Sequence, residues 1–80
     1  DVNGFDPTGQ APLCWSVISG RPEIVRLLLS KGADPRRMHA SFPAEVVFKD
    51  AAMIKGLCTD AACRNRFDEA INLLREAGAR

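Results

Sequence analysis

Apolar positions in the first half of the chain fall into two short runs divided by a glycine. In "APLCWSVISG" (residues 11–20), Pro12 suits a first helical turn and Gly20 suits a left-handed helix end, which predicts a short helix over about 12–19. In "PEIVRLLLSKGAD" (22–34), Pro22 opens a second helix with Glu23 in its first turn, favourable to the helix dipole. Ile24, Val25, Leu27 and Leu28 recur at helical spacing, Lys31 sits in the last turn and Gly32 closes it. Asp34, Pro35, Arg36 and Arg37 then read as a turn or extended loop. The unit is helix, turn, helix, loop.

The same device recurs. With a shift of 33 places, Asp1 falls on Asp34, Ala11 on Ala44, Leu13 on Val46, Cys14 on Val47 and Trp15 on Phe48. With a shift of 46, Glu23 falls on Glu69, Leu27 and Leu28 on Leu73 and Leu74, and "GA" at 32–33 on "GA" at 78–79. The second copy thus holds thirteen extra residues in its middle. A period near 33 is the mark of a stacked repeat.

The stretch "TGQAPLCWSVISGRPEIVRLLLSKGAD" resembles an ankyrin repeat, with Gly9, Pro12, Leu13, Gly20, Glu23, Ile24, Val25, Leu27, Leu28, Leu29, Gly32, Ala33 and Asp34 on the family pattern. The opening "DVN" resembles the end of a preceding unit, which implies that the chain starts at the seam of an earlier repeat. The family's Thr and His at the start of the first helix are Ala11 and Cys14 here, and Ala44 and Val47 in the second copy. Both polar partners are missing together, so no hydrogen-bonding group is orphaned.

The extra residues fit an elongated helix pair. "PAEVVFKDAAMIKG" (43–56) reads as one helix ending at Gly56. Thr59 or Asp60 then caps a second helix to Ala77, along which Cys63, Phe67, Ala70, Ile71 and Leu74 keep helical spacing. The alternative is an insertion loop around "KGLCTDAA". The expected fold is all-α, a helical-hairpin solenoid of ankyrin-like repeats: a regular unit over 1–33 and an enlarged one over 34–80, within a longer array.

Composition narrows the function. Of 80 residues 46% are hydrophobic and 26% charged, which is ordinary for a folded domain, and the formal net charge of +1 gives no electrostatic ground for a nucleic-acid or membrane-surface ligand. Arg36 and Arg37 are too small a footprint for phosphate binding and read as a solvated loop. No apolar run approaches the roughly 18 residues of a membrane span. Cys14, Cys58 and Cys63 lie among small or apolar residues and read as reduced, partly buried thiols of an intracellular protein.

Candidate chemistry is thin. Among His39, Cys58, Cys63 and Cys14 as candidate zinc ligands, Cys58 and Cys63 have four residues between them, but no second pair stands at metal-site spacing. His39 is the one histidine, and nothing sets it beside a cysteine nucleophile. Asp68 and Glu69 read as the start of a final helical segment or a solvated face. Trp15 reads as core, stacked on Phe48, with a binding hot spot as the alternative.

No enzyme, metal or cofactor is therefore expected. The resemblance implies a module that binds a partner protein through loop tips and the exposed face of the inner helices. By family position the contacts are Pro7, Thr8, Gln10, Ile18 and Ser19 in the first unit, and Ala40, Ser41, Pro43, Ala51 and Ala52, with Met38, in the second. Further repeats of the same chain, and a cytoplasmic or nuclear location, are implied with it. Two alternatives stand: a capping segment with no ligand of its own, or the targeting module of a larger enzyme.

Overall fold

The protein is described from a computed structural model over residues 3–78; the aligned positions Asp1 and Ala79, and most of the opening "DVN", lie outside the described residues. Four helices follow in order: α1 (Pro12–Ile18), α2 (Pro22–Ser30), α3 (Ala44–Lys55) and α4 (Ala61–Glu76). Among the described residues there is no strand, only an isolated antiparallel bridge between Gln10 and His39. α1 packs on α2 and α3 on α4. The two hairpins then stack, α1 on α3 and α2 on α4, with α1 also touching α4.

Local chemistry sets the first unit's ends. Pro12 and Pro22 occupy the opening turns, where a missing N–H costs nothing. α1 stops at Gly20, whose φ of +64° lets its N–H reach the Val17 carbonyl while the Arg21 N–H reaches Ser16. α2 repeats the pattern at Gly32, φ +90°: the Gly32 N–H bonds Leu29 and the Ala33 N–H bonds Leu28. Both are six-to-one and five-to-two closures that satisfy carbonyls left open at a helix end.

The second unit is built from longer helices, as its pattern predicts. α3 has 12 residues to the 7 of α1, and α4 has 16 to the 9 of α2. Asp60 caps α4, its Oδ1 accepting from the Cys63 N–H at 2.7 Å. The end of α3 departs from expectation. Gly56 is right-handed at φ −61°, and the Leu57 and Cys58 N–H groups wind on to the Ile54 and Lys55 carbonyls. The chain overshoots α3 by one tight turn and reverses only before α4, so no left-handed cap is needed.

Leu13 and Val17 of α1, Val25 of α2, Val47 and Ala51 of α3, and Phe67, Ala70 and Leu74 of α4 form one core, which Met38 joins from the connecting loop. Two ion pairs bind α4 to its neighbours from outside. Arg26 of α2 meets Glu69, and Lys55 of α3 meets Asp68 at 2.6 Å. Asp68 and Glu69 are thus mid-helix partners of cations on two other helices, not the start of a segment.

Gly20 holds α1, α2 and α4 together at one point. A Cβ there would stand 2.9 Å from the Phe67 ring, whereas one on Gly32 would meet nothing within 4 Å. Both glycines have positive φ, so Gly32→Ala should cost about 1 kcal/mol and Gly20→Ala about 2–4 kcal/mol. Paired thermal melts measure the difference, which isolates the cost of displacing Phe67.

Candidate functional site

The two connecting tips are fastened into one edge. The Ala11 N–H donates to the Met38 carbonyl at 2.9 Å and the Ala40 N–H to the Gly9 carbonyl at 2.8 Å. The first tip is shaped by Asp6. Its Oδ1 accepts from the Thr8 hydroxyl at 2.6 Å, the Thr8 N–H at 2.9 Å and the Gln10 N–H at 3.0 Å. The Thr8 hydroxyl, followed by the Gln10 N–H, holds the Asp6 carboxyl below its ordinary range. The second tip is shaped by His39, whose Nδ1 accepts from the Ser41 and Phe42 N–H groups and whose ring tilts against Phe42 at 4.6 Å. Gly9, at φ +87°, passes directly under the His39 ring, where a Cβ would lie 2.8 Å from it.

Beside this edge an open groove of about 540 Å³ runs along α1, lined by Gly4, Phe5, Asp6, Gln10, Ala11, Pro12 and Trp15. Trp15 is 47% exposed and Phe5 38%. The stacked core position expected for Trp15 is therefore corrected. α1 buries Leu13, Cys14, Ser16 and Val17, and the stripe of Pro12, Trp15 and Ser19 at three- and four-residue spacing faces away from the other helices. Residues one repeat apart occupy equivalent places and point the same way, so Trp15 and Phe48 do not meet. Phe48 is instead half-buried, with the Arg75 guanidinium 5.3 Å from its ring centre.

The contact residues expected from sequence separate into two groups. Pro7, Thr8, Ala40, Ser41 and Pro43 are exposed and Gln10 is half-exposed, all on the joined tips. Ser19 is exposed just past the end of α1 and Ala52 is exposed on α3. Met38 and Ala51 are not surface residues: they are 1% and 0% exposed, because the Met38 side chain plugs the space under the tips and Ala51 faces the helix core. Ile18 is half-buried and packs on the core as the last residue of α1, not on an open face. Phe5 and Asp6 were missed; the signal was the turn pattern of "DPTG", which orients the phenylalanine before it.

Two of the three cysteines also depart from the expected reduced state. Cys58 and Cys63 are joined in a disulfide, brought together when the overshoot of α3 lays Cys58 against the first turn of α4. Cys14 alone is a free thiol; its burial, then the charges of Asp50 and Asp6, push it up to about 11. Among the described residues no three histidine, cysteine or acidic side chains cluster as a metal site. Nor is any helix among them long and apolar enough to cross a membrane.

Two outcomes follow for the site. Trp15→Ala should cost under about 1.5 kcal/mol, since half its surface stays in water, whereas Leu74→Ala in the core should cost about 2–5 kcal/mol. Acrylamide should quench Trp15 fluorescence readily in the folded chain. For Asp6, the folded pKa is lowered, so its stabilisation is present above the unfolded value and lost as pH falls through the folded one. Thr8→Ala should raise the Asp6 pKa toward the ordinary range in a carboxyl NMR titration. It should also weaken the fold at neutral pH, with the two proteins converging as pH falls below the folded Asp6 pKa.

Residues 8–39 match the family model described as "Ankyrin repeat", covering α1, α2 and the edge up to His39. Among curated proteins, Notch-regulated ankyrin repeat-containing protein B of Danio rerio is 53% identical over 36 residues, which is 45% of this chain and 32% of that protein. The chain therefore covers about a third of that relative's length. No solved structure matches. Four helices in two stacked hairpins and glycine-closed helix ends accord with that match: the chain carries an ankyrin repeat at residues 8–39.

Proposed function

We propose that the chain is a non-enzymatic protein-binding module, with the joined tips and the outer stripe of α1 as its contact surface. Ankyrin repeats are generally protein-interaction modules. The observation that supports this surface is Trp15: a half-exposed indole on a rigid helix beside an open groove is the kind of anchor that dominates interface energetics. Gln10 lines the same groove, and Pro7, Thr8, Ser19, Ala40, Ser41 and Pro43 add exposed positions of mixed polar and apolar character, as in a transient interface. No cofactor has a part in such binding, and a cytoplasmic or nuclear setting accords with it.

One observation favours a second reading. Trp15 stands on α1 where Phe48 stands on α3, and α3 is itself packed against α1. A further helix pair of the parent chain would stack on the Trp15 side in the same manner, leaving the tips alone for a partner. The exposed polar residues of α4, among them Arg64, Asn65, Arg66 and Asn72, suit the outer face of a terminal unit.

Photo-crosslinking residues placed at Pro7, Ser41, Trp15 and Asn72 in the full parent protein separate these readings. The proposal expects one protein captured from Pro7, Ser41 and Trp15 and not from Asn72. Capture within the parent chain at Trp15, with the tips silent, would assign a capping role and overturn it.

A further inference from the structure

Three cysteines occupy two different environments. Cys14 is sealed in the core, while Cys58 and Cys63, each half-exposed, are bonded to one another across the reversal between α3 and α4, with Cα atoms 5.6 Å apart. Cys63 is the third residue of α4, at the positive end of the helix dipole, which favours a thiolate, with its own N–H donated to Asp60 Oδ1. The Arg64 guanidinium lies 3.5 Å from the Cys58 carbonyl, adding a cation to the same corner. Leu57 is 79% exposed and Thr59 is exposed, so the bond lies in an open turn that a small thiol can approach.

We propose that Cys58–Cys63 is a reversible thiol–disulfide site that exchanges with low-molecular-weight thiols of the glutathione class, locking or releasing the start of α4. In the opening direction, the thiolate of one small thiol attacks the Sγ of Cys58. The protein S–S bond breaks, and its electron pair leaves on Cys63 as a thiolate, a good leaving group at a helix start. A second small thiol attacks its partner's sulfur in the mixed disulfide and releases the Cys58 thiolate. Both protein thiolates take up protons, so two electrons and two protons pass to the protein while two small thiols become one disulfide. Closing is the reverse, with the small disulfide as oxidant.

The consequence is local. In the closed form the turn is tied to the first turn of α4 by a covalent bond as well as by the Asp60 cap. In the open form the cap and the long Arg64–Cys58 carbonyl contact remain without the covalent bond, and the tip carrying Met53 and Leu57, 72% and 79% exposed, gains freedom next to the long helix pair.

The test equilibrates the folded chain with mixtures of reduced and oxidised glutathione, quenches with an alkylating agent and reads each cysteine by mass spectrometry. The Cys58/Cys63 pair should pass from two free thiols to the disulfide as the mixture becomes oxidising, with Cys14 unlabelled throughout. In Cys58→Ser, Cys63 should alkylate at least ~10-fold faster than Cys14. Should that variant unfold, the same ratio is read on the reduced wild-type chain. A pair that stays reduced in oxidised glutathione alone, or stays bonded in excess reduced glutathione until denaturant is added, overturns the exchange. Backbone hydrogen exchange over residues 61–64 should rise several-fold on reduction; an unchanged rate overturns the lock.

Discussion

A seven-residue helix does not hold itself together in water, since forming the first turn costs more than one hydrogen bond returns. α1 exists because three other helices cover it. Leu13 and Val17 are 1% and 0% exposed, and α1, like α4, touches each of the other helices. Both its ends are fixed by the backbone of its neighbours: the Ala11 N–H is bonded into the second tip and the Arg21 N–H closes on Ser16. The joined tips are thus a structural requirement before they are a surface. The bonds that present Pro7, Thr8, Ser41 and Pro43 in a fixed frame also keep α1 in place, and a frame fixed in advance loses little freedom when a partner docks.

Coverage of α1 is one-sided, and the polarity of its sequence shows where it ends. Ser16 can lie at 0% exposure because its hydroxyl donates to the Leu13 carbonyl at 2.8 Å. Cys14 and Ala11 stand where the family pattern has groups that hydrogen-bond, and no buried side-chain nitrogen or oxygen among the described residues lacks a partner. Removing both members of a polar pair leaves a drier core at little cost. The same helix then spends its largest side chain on the uncovered stripe. Burying that indole in the chain itself would need another helix on that side.

Much of the architecture was legible in the residues, for particular reasons. Proline at a helix start and glycine at its end are backbone facts, so α1 and α2 could be placed within a residue. The elongation of the second unit was legible because Phe67, Ala70, Ile71 and Leu74 hold one period across the added turns, and α4 runs unbroken through them. What the pattern could not carry was direction in space. Repeat alignment equates Trp15 with Phe48 but does not say that equivalent residues point alike instead of meeting. Position on the unit likewise put Met38 and Ala51 on the open face, although a loop side chain can turn inward and an alanine on an inner helix can face its own partner. The disulfide was hidden for a similar reason. Cys58 and Cys63 had no second ligand pair to mark a metal site and do not share one helix face, and the two sulfurs meet because α3 overshoots Gly56 before the chain reverses.

The second helix pair is longer than the first and keeps its seat on it. The core of the stack needs no more of α3 than the segment holding Ala44, Val47 and Ala51. Beyond it the pair must supply its own adhesion, and the apolar share falls: Met53 and Leu57 point outward, while Ile54 is half-buried. Fastening there passes to the Lys55–Asp68 ion pair, the Asp60 cap and the Cys58–Cys63 bond. A partly exposed ion pair contributes at most about 1 kcal/mol and a cap about as much, so the covalent bond is the strongest of the three. A tip held mainly by one exchangeable bond answers to the thiols around it, while the ankyrin unit below, with its only thiol buried, does not.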